Sequence, residues 1–327
     1  MAKGNYQKPG CSGALTPLHP GFWNLHTRAV LQALLVTFLW STSWVLIKLG
    51  LKASLPAVTF AGLRYSLAFL CLLPLVLANP GHRQVIRSFT RFTWVQLALL
   101  GLAFYTLTQG AQFVGLAFLP AATLTLMLNF SPIFVALFSG AANQEAPSPV
   151  QWGGIALSCL GAVIYFLPFD IPSGETLGFV AALAGLLANA GSSLLGRRVN
   201  RSTGLPAILI TTVSMGIGGL LLLAAGAVGQ GFGRLDGTQW LIIAWLAVVN
   251  TAIAFTLWNN TLRTLTAIES SVLNNTMLPQ IAILAWIFLG ESLGLRQIVG
   301  LALVAAGTLI VQVWGAGRLN GRIGIGR

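Results

Sequence analysis

Charged residues are scarce in this chain. Asp, Glu, Lys and Arg make up only 7% of its 327 residues, whereas apolar residues make up 56%. A soluble domain carries about a quarter charged residues, so this composition excludes a surface that is solvated by water over its whole area. Long apolar runs separated by short polar breaks instead predict an all-α integral membrane protein, for which the lipid bilayer is the main partner.

Cysteine, histidine and acidic residues are also few. Three cysteines provide no disulfide framework. The histidines, His19, His26 and His82, fall outside the predicted spans, and the six acidic residues are scattered along the chain. We therefore expect no metal site, no cofactor and no clustered acid and base of the kind that an enzyme needs.

Basic residues outnumber acidic ones by 18 to 6, but they flank the apolar spans rather than forming a patch, so we expect no nucleic-acid partner. Most of them lie on the side of the N-terminal tail. The positive-inside rule then places both termini in the cytoplasm. The expected location is a bacterial inner (plasma) membrane, with several passes through the bilayer.

Apolar runs of about 20 residues, each long enough to cross the hydrocarbon as a helix, predict ten transmembrane spans. In chain order these spans, numbered 1 to 10, cover residues 29–50, 56–78, 94–117, 120–140, 149–168, 176–195, 205–229, 239–260, 267–289 and 294–315.

A block of spaced residues occurs twice, 146 positions apart. Glu145, Gln151, Gly154 and Gly161 return as Glu291, Gln297, Gly300 and Gly307. We interpret the glutamates as caps of helix starts and the glycines as sites of close helix packing. A duplication with five spans per copy must be inverted in a membrane, and inverted repeats are a common transporter architecture.

The duplication divides the chain into four parts. Residues 1–28 are predicted to be a disordered cytoplasmic tail, and residues 316–327 a second cytoplasmic tail. Between them lie a first repeat, 29–168, with spans 1–5, and a second repeat, 176–315, with spans 6–10.

This pattern resembles the drug/metabolite transporter superfamily, specifically its EamA-type ten-helix members. The resemblance is carried by two Pro…Glu…Gln…Gly…Gly blocks, by the run Trp40-Ser41-Thr42-Ser43-Trp44, and by Arg64. The end of the first repeat, Ala142-Asn143-Gln144-Glu145, departs from the usual form, whereas Leu289-Gly290-Glu291 is close to it. The resemblance implies a central substrate cavity and alternating access, often with export of small metabolites or amino acids.

A proline lies about twelve residues into span 4 and into span 9. Pro132 and Pro279 each remove one backbone hydrogen bond and clash with the carbonyl four residues earlier, at Leu128 and Asn275. We expect a bend near the membrane midplane that helps to shape a substrate site; a passive kink is the alternative, since proline is common in membrane helices.

Polar and aromatic side chains inside the spans are the candidate substrate-binding residues. Amides at matched positions of spans 3 and 8, tryptophans deep in span 1 and an unusually polar span 9 favour a cavity between the two halves. Hydrogen bonding between helices, worth about 0.6–2 kcal/mol per contact, is the alternative. The candidates are Trp40, Ser41, Trp44, Arg64, Tyr105, Gln109, Gln112, Asn129, Asn189, Trp258, Asn259, Asn274, Asn275 and Gln280.

Two charges are candidates for the membrane interior. Arg64 lies in span 2, where an exposed charge near the centre costs about 2.5–3.5 kcal/mol, so it should face protein or water; it could bind a carboxylate, join a gate or extend outward. Glu269 begins span 9, where it suits the positive end of the helix dipole. A coupling or gate role for Glu269 is the alternative.

These observations favour a secondary transporter that moves a small organic metabolite by alternating access. The few interior charges suggest a neutral or zwitterionic solute such as an amino acid, and the resemblance suggests export. A membrane-embedded lipid-modifying enzyme and a non-transporting scaffold are the other classes. A monomer is plausible.

Overall fold

The computed structural model describes residues 20–52, 55–119, 124, 127–141, 147–167, 176–233, 235–289 and 294–323, and its regular structure in these ranges is helical. We distinguish twelve helices there. They are α1 Pro20–Lys52, α2 Ala57–Ala78, α3 Pro80–Arg87, α4 Arg91–Phe118, α5 Ser131–Ala141, α6 Pro149–Phe166, α7 Thr176–Ser202, α8 Ala207–Gln230, α9 Gly237–Thr261, α10 Ala267–Asn274, α11 Met277–Leu289 and α12 Leu295–Ile323.

Six of these helices are long and apolar enough to cross a membrane: α1, α2, α4, α7, α8 and α9. Shorter apolar helices cover Met127–Phe138, Pro149–Tyr165 and Leu295–Val311. A helix satisfies all of its backbone hydrogen bonds internally, which the hydrocarbon core demands. Large apolar side chains such as Leu31 and Leu35 of α1 remain exposed on the outside of the bundle, as a surface in lipid requires. The protein is an all-helical, multi-pass integral membrane protein.

Side-chain caps define where several helices begin. At the start of α6, Gln151 N donates to Ser148 Oγ at 3.2 Å, and Ser148 N donates to Gln151 Oε1 at 3.0 Å. The repeated glutamine therefore acts in a capping box. The predicted caps Glu145 and Glu291 lie outside the described residues.

The repeated glycines bring α6 and α12 into close contact. A Cβ atom on Gly154 would lie 2.9 Å from the carbonyl oxygen of Gly307, and one on Gly161 would lie 2.6 Å from that of Gly300. The first glycine of one block thus meets the second glycine of the other, so the two helices run antiparallel. Only residues without a side chain allow backbones to approach this closely.

The helices α2 and α8 also cross antiparallel at close range. A Cβ on Gly62 would lie 2.6 Å from the nitrogen of Leu223, while one on Gly226 would lie 2.7 Å from Cα of Thr59. The later residue of α2, Gly62, meets the earlier residue of α8, Leu223, and the reverse holds for Thr59 and Gly226. These helices correspond to spans 2 and 7, which occupy equivalent places in the two repeats.

The two proline-containing spans are interrupted rather than bent. Before α5 a turn at Phe130 replaces the helix, and Ile133 N donates to the carbonyl of Phe130 at 3.0 Å. Between α10 and α11 the helix breaks at Asn275 and Thr276, and Leu278 N donates to the carbonyl of Asn275 at 3.1 Å. The carbonyl of Asn275, which Pro279 deprives of its usual donor, thus finds a partner three residues later in a tighter turn.

Pro132 and Pro279 therefore lie just inside the helices that follow the interruptions, at the second position of α5 and the third of α11. A proline is tolerated in the first turn of a helix, where its missing N–H would have no partner. The prolines restart the helices instead of kinking them.

Two stretches of wider π-helix occur at equivalent places. They cover Gly101–Gln109 in α4 and Val248–Ile253 in α9, and their first residues are 147 positions apart. Each π turn shifts the faces of the helix relative to an ideal α-helix, which changes the residues that point at the centre of the bundle.

Candidate functional site

A cavity lies between helices of both repeats. The first repeat contributes residues of α1, α2, α4 and the helical residues 127–129 before α5, and the second contributes residues of α7, α9, α10 and α11. This placement corresponds to the cavity that the sequence predicted between the halves.

The structure brings ten of the fourteen candidate residues to the wall of this cavity: Trp40, Trp44, Arg64, Gln109, Gln112, Asn129, Asn189, Trp258, Asn274 and Asn275. The other four are not among the residues that line it: Ser41, Tyr105, Asn259 and Gln280. Each of these four has a packing role instead.

Ser41 and Gln280 join α1 to α11. The Ser41 hydroxyl donates to Gln280 Oε1 at 2.9 Å, and Gln280 Nε2 donates to the hydroxyl of Thr37 at 3.1 Å. Their polar groups are satisfied by each other, so they act as a contact between helices and not as cavity wall.

Asn259 belongs to a second contact, which joins three helices. Its Nδ2 donates to the hydroxyl of Thr211 in α8 at 2.9 Å, and its Oδ1 accepts from Nδ2 of Asn200 in α7 at 2.9 Å. Placing it in the cavity by its alignment with Gln112 was therefore wrong. The interhelical alternative describes Asn259 correctly.

Tyr105 is fully buried beneath the cavity wall. Its ring centroid lies 5.1 Å from that of Phe255. The spacing of Tyr105, Gln109 and Gln112 predicts a shared face only on an ideal α-helix. The segment Gly101–Gln109 is π-helical, and in it the ring of Tyr105 packs behind the wall residues Tyr65 and Phe255 while the two glutamines line the cavity.

Aromatic rings form a row along one side of the cavity. The ring centroid of Trp40 lies 4.8 Å from that of Phe255 and 5.0 Å from that of Trp258. At the other end, Phe255 meets Tyr65 edge to face at 5.9 Å. Tyr65, whose hydroxyl donates to Gln109 Oε1 at 2.7 Å, is a wall residue that sequence reasoning missed.

Arg64 points into the protein and is 2% exposed. Its Nε donates to the hydroxyl of Thr251 at 2.7 Å, and one terminal nitrogen donates to the carbonyl of Asn250 at 3.2 Å. Both acceptors lie in the π-helical part of α9, where the wider turn changes the partners of backbone carbonyls. Its guanidinium carbon is 5.3 Å from the ring centre of Tyr65.

The short helix α10 supplies a polar wall. Ser270, Ser271, Asn274 and Asn275 all line the cavity. The two serines were not among the candidates, although their spacing to Asn274 and Asn275 on a helix already places them on a common face. Asn275 Nδ2 donates to the backbone oxygen of Asn129 at 2.9 Å, which joins the two helix interruptions.

Other hydroxyls were also missed: Ser43, Ser192 and Ser193. In each, the hydroxyl also donates to a backbone carbonyl three or four residues earlier, at Trp40 or Asn189. A serine in this arrangement suits packing as well as a cavity, so its sequence position alone does not separate the two roles.

Glu269 is fully buried at the start of α10. Its Oε2 accepts from Thr266 N at 2.7 Å in a capping box, and its Oε1 lies 3.3 Å from Nε2 of His26. His26 was expected outside the spans. That placement was wrong, because α1 already begins at Pro20 and carries His26 into the bundle, where it is 7% exposed.

The sequence pattern of the EamA-like transporter family matches residues 27–167 and again residues 176–313. The chain belongs to this family. Two EamA matches account for the equivalent interruptions and π-helical stretches, because they imply that the halves arose by duplication.

Individual relatives of this EamA-like transporter are distant but cover most of the chain. An "Uncharacterized transporter" of Bacillus subtilis is 27% identical over 91% of this chain and 96% of its own length. An "S-adenosylmethionine/S-adenosylhomocysteine transporter" of Chlamydia trachomatis is 27% identical over 81% of this chain and 83% of its own. A "Probable amino-acid metabolite efflux pump" of Salmonella typhimurium is 27% identical over 86% and 94%.

A solved crystal structure shares the fold of this EamA-like transporter. It superposes with a TM-score of 0.72 over 88% of this chain and 98% of the other, at 18% sequence identity. At this level of identity the likeness concerns the fold alone.

Proposed function

We propose that this EamA-like transporter carries a small organic metabolite of the amino-acid class out of the cell by alternating access. In this proposal two halves rock around the central cavity and open it to one side of the membrane at a time. The observation that carries it is the pair of helix interruptions at equivalent positions of both repeats, joined by the Asn275–Asn129 hydrogen bond at the wall of the cavity.

The halves are inverted in this proposal, and each has five spans. Two antiparallel helix pairs support the inversion, because α2 meets α8 and α6 meets α12 at equivalent places of the repeats. We assign residues 29–168 and 176–315 to the two repeats. The segments outside them, 1–28 and 316–327, lie on the cytoplasmic side in this assignment, and residues 20–28 already belong to α1. The membrane is a bacterial inner membrane, and the protein is a monomer.

The chemistry of the cavity supports an amino acid or a related metabolite as the solute. Amides, hydroxyls and one guanidinium provide polar anchors, and the aromatic row provides an apolar face. The names of two relatives point the same way: one is an amino-acid metabolite efflux pump, and the other transports compounds that contain an amino-acid moiety.

The Glu269–His26 contact serves as a cytoplasmic gate in this mechanism. It joins α10, whose Ser270, Ser271 and Asn274 line the cavity, to the beginning of α1. Breaking the contact would let α10 move away from α1 and open a path from the cytoplasm.

Flux through proteoliposomes tests the proposal. Liposomes that contain the purified protein and an excess of unlabelled amino acid should take up external radiolabelled amino acid by counterflow. This uptake should be faster than in protein-free liposomes and faster than with the variant Asn275→Ala. Flux that is absent for a panel of amino acids, their N-acyl derivatives, S-adenosylmethionine and S-adenosylhomocysteine would refute the carrier. An accompanying transferase activity on lipids would favour the enzyme class, and its absence would favour the scaffold.

A further inference from the structure

The cavity carries an uncompensated positive charge. Among the lining residues that the structure describes, Arg64 is the one with a charged side chain. Its hydrogen bonds go to neutral partners, the Thr251 hydroxyl and the Asn250 carbonyl. A buried charge without a counter-ion is unfavourable in a membrane protein, so an anionic group on a bound ligand would restore neutrality.

A second part of the wall has polar atoms in need of partners. Within the described ranges, Trp40 Nε1, Ser270 Oγ, Ser271 Oγ and Asn274 Oδ1 are buried and have no hydrogen-bond partner. All four side chains line the cavity. A buried polar group that lacks a partner is costly, and four of them at one cavity indicate a place that a ligand or water fills.

The types of these atoms restrict the ligand group. An indole N–H can only donate and therefore needs an acceptor, whereas an amide oxygen can only accept and needs a donor. An uncharged amide or a hydroxyl offers both. An ammonium group would satisfy Asn274 but would leave Trp40 without an acceptor, and it would add to the positive charge of Arg64.

The aromatic row connects these two anchors. Tyr65 lies beside the guanidinium of Arg64, Phe255 follows Tyr65, and Trp40 follows Phe255. Rings in such a row favour an apolar or aromatic ligand body, which packs against their faces and edges.

We infer that the preferred ligand is a monoanion: a monocarboxylate with an apolar or aromatic body and an uncharged amide or hydroxyl group. Its carboxylate binds at Arg64, and its neutral polar group binds at Trp40, Ser270, Ser271 and Asn274. The inference rests on the proposed function and narrows the solute from amino acids in general to derivatives in which the amino group carries no charge.

Four small molecules with the same phenyl group differ in net charge, so their affinities show which charge the cavity prefers. N-Acetyl-L-phenylalanine is a monoanion with an amide, 3-phenylpropanoate a monoanion without one, L-phenylalanine a zwitterion and L-phenylalaninol a cation. Calorimetric titration of the purified full-length protein should give the highest affinity for N-acetyl-L-phenylalanine. Removing the amide should weaken binding about three- to tenfold, and phenylalaninol should bind weakest.

Variants test whether the carboxylate of the ligand binds at Arg64 and whether its neutral polar group binds at Ser270 and Asn274. Arg64→Gln should weaken both monoanions about ten- to hundredfold and remove the discrimination against phenylalaninol. Ser270→Ala and Asn274→Ala should weaken N-acetyl-L-phenylalanine and leave 3-phenylpropanoate almost unchanged. Ser158→Ala is the matched control, because the Ser158 hydroxyl is equally buried and without a hydrogen-bond partner among the described residues but is not at the cavity.

Several results would overturn the inference. It is wrong if phenylalaninol or S-adenosylmethionine binds more tightly than N-acetyl-L-phenylalanine, or if neither monoanion binds. It is also wrong if folded Arg64→Gln protein, judged by its thermal unfolding, keeps the wild-type preference. The probe series on the wild-type protein decides the question even when a variant does not fold.

The titration tests the ligand class and the flux assay tests transport, so either result can fail without the other. Monoanion binding without flux in proteoliposomes would refute the proposed transport and leave the ligand class standing. Flux of a cation or zwitterion without preference for monoanions would support transport and refute the ligand class.

Discussion

Asn275 donates a hydrogen bond of 2.9 Å to the backbone oxygen of Asn129, and the two residues are 146 positions apart. That separation is the spacing of the repeated Glu, Gln and Gly block and one less than the spacing of Pro132 and Pro279, so the contact joins corresponding regions of the two repeats. The carbonyl of Asn129 is available because the turn at Phe130 redirects the N–H of Ile133. An interruption in one repeat is thus satisfied by a side chain at the interruption of the other.

Replacing Asn275 by alanine should destabilise the protein and slow flux. The change removes the Nδ2 donor from the Asn129 backbone oxygen, which Cys159 Sγ also approaches to 3.8 Å. A lost buried hydrogen bond costs about 1–3 kcal/mol. Thermal unfolding in detergent and proteoliposome counterflow measure the two effects. Asn260→Ala, at an exposed asparagine, is the control, and equal unfolding temperatures for both variants would contradict the bridging role.

Adding one methyl group at Gly161 should loosen the contact between α6 and α12. The new Cβ would lie 2.6 Å from the carbonyl oxygen of Gly300, and relieving such a clash typically costs about 1–3 kcal/mol. Gly153→Ala on the same helix meets nothing within 4 Å and should be neutral or slightly stabilising, because alanine favours a helix. Unfolding temperatures of Gly161→Ala and Gly153→Ala that coincide would rule out this packing.

Substitution of Gln109 should change the affinity for the ligand, whereas substitution of Asn259 should change the stability of the fold. Gln109 is at the cavity, so Gln109→Ala is expected to weaken binding of N-acetyl-L-phenylalanine about three- to tenfold. Asn259 holds α9 to α7 and α8 instead. Asn259→Ala should therefore lower the unfolding temperature while the folded fraction keeps wild-type affinity. Titration and thermal unfolding of both variants check this, and a reversed pattern would place Asn259 in the site.

Removing the charge of Glu269 should favour opening toward the cytoplasm. Glu269→Gln can still accept from Thr266 N, but it loses the charge that faces His26. In a cysteine-free background with Ser271→Cys, alkylation from the cytoplasmic side should become faster. Asp236→Asn, in the capping box of α9, is the matched control. Labelling that responds equally to both changes would exclude a specific gate at Glu269.

Regular helices and their approximate limits could be predicted because they depend on local apolar runs. Span 2 at 56–78 corresponds to Ala57–Ala78, and span 5 at 149–168 to Pro149–Phe166. Local irregularity was harder to predict. The segment Gly101–Gln109 is π-helical and packs at Gly101 against the backbone of Ser214 in α8, and a helical wheel includes neither feature.

The polar residues of the site were harder still to sort. Gln280 and Asn274 lie six positions apart in one span, yet Asn274 lines the cavity and Gln280 bonds to α1. Six residues of an ideal α-helix already place the two side chains about 120° apart, so which of the two faces the cavity depends on how the helix is oriented in the bundle. Ser270 and Ser271 were missed because a serine that packs and a serine that faces a cavity look the same in a sequence.

Hydrophobicity and repeated spacing are properties of the chain alone, so a helical membrane protein with two similar halves follows from the order of its residues. The same is true of the types of polar group available inside the membrane. Which of these groups satisfy one another and which remain at the cavity follows from the packing of the helices. That choice depends on pairs such as Asn259 with Thr211 and Arg64 with Thr251, whose partners are far apart in the chain and meet only when the helices pack.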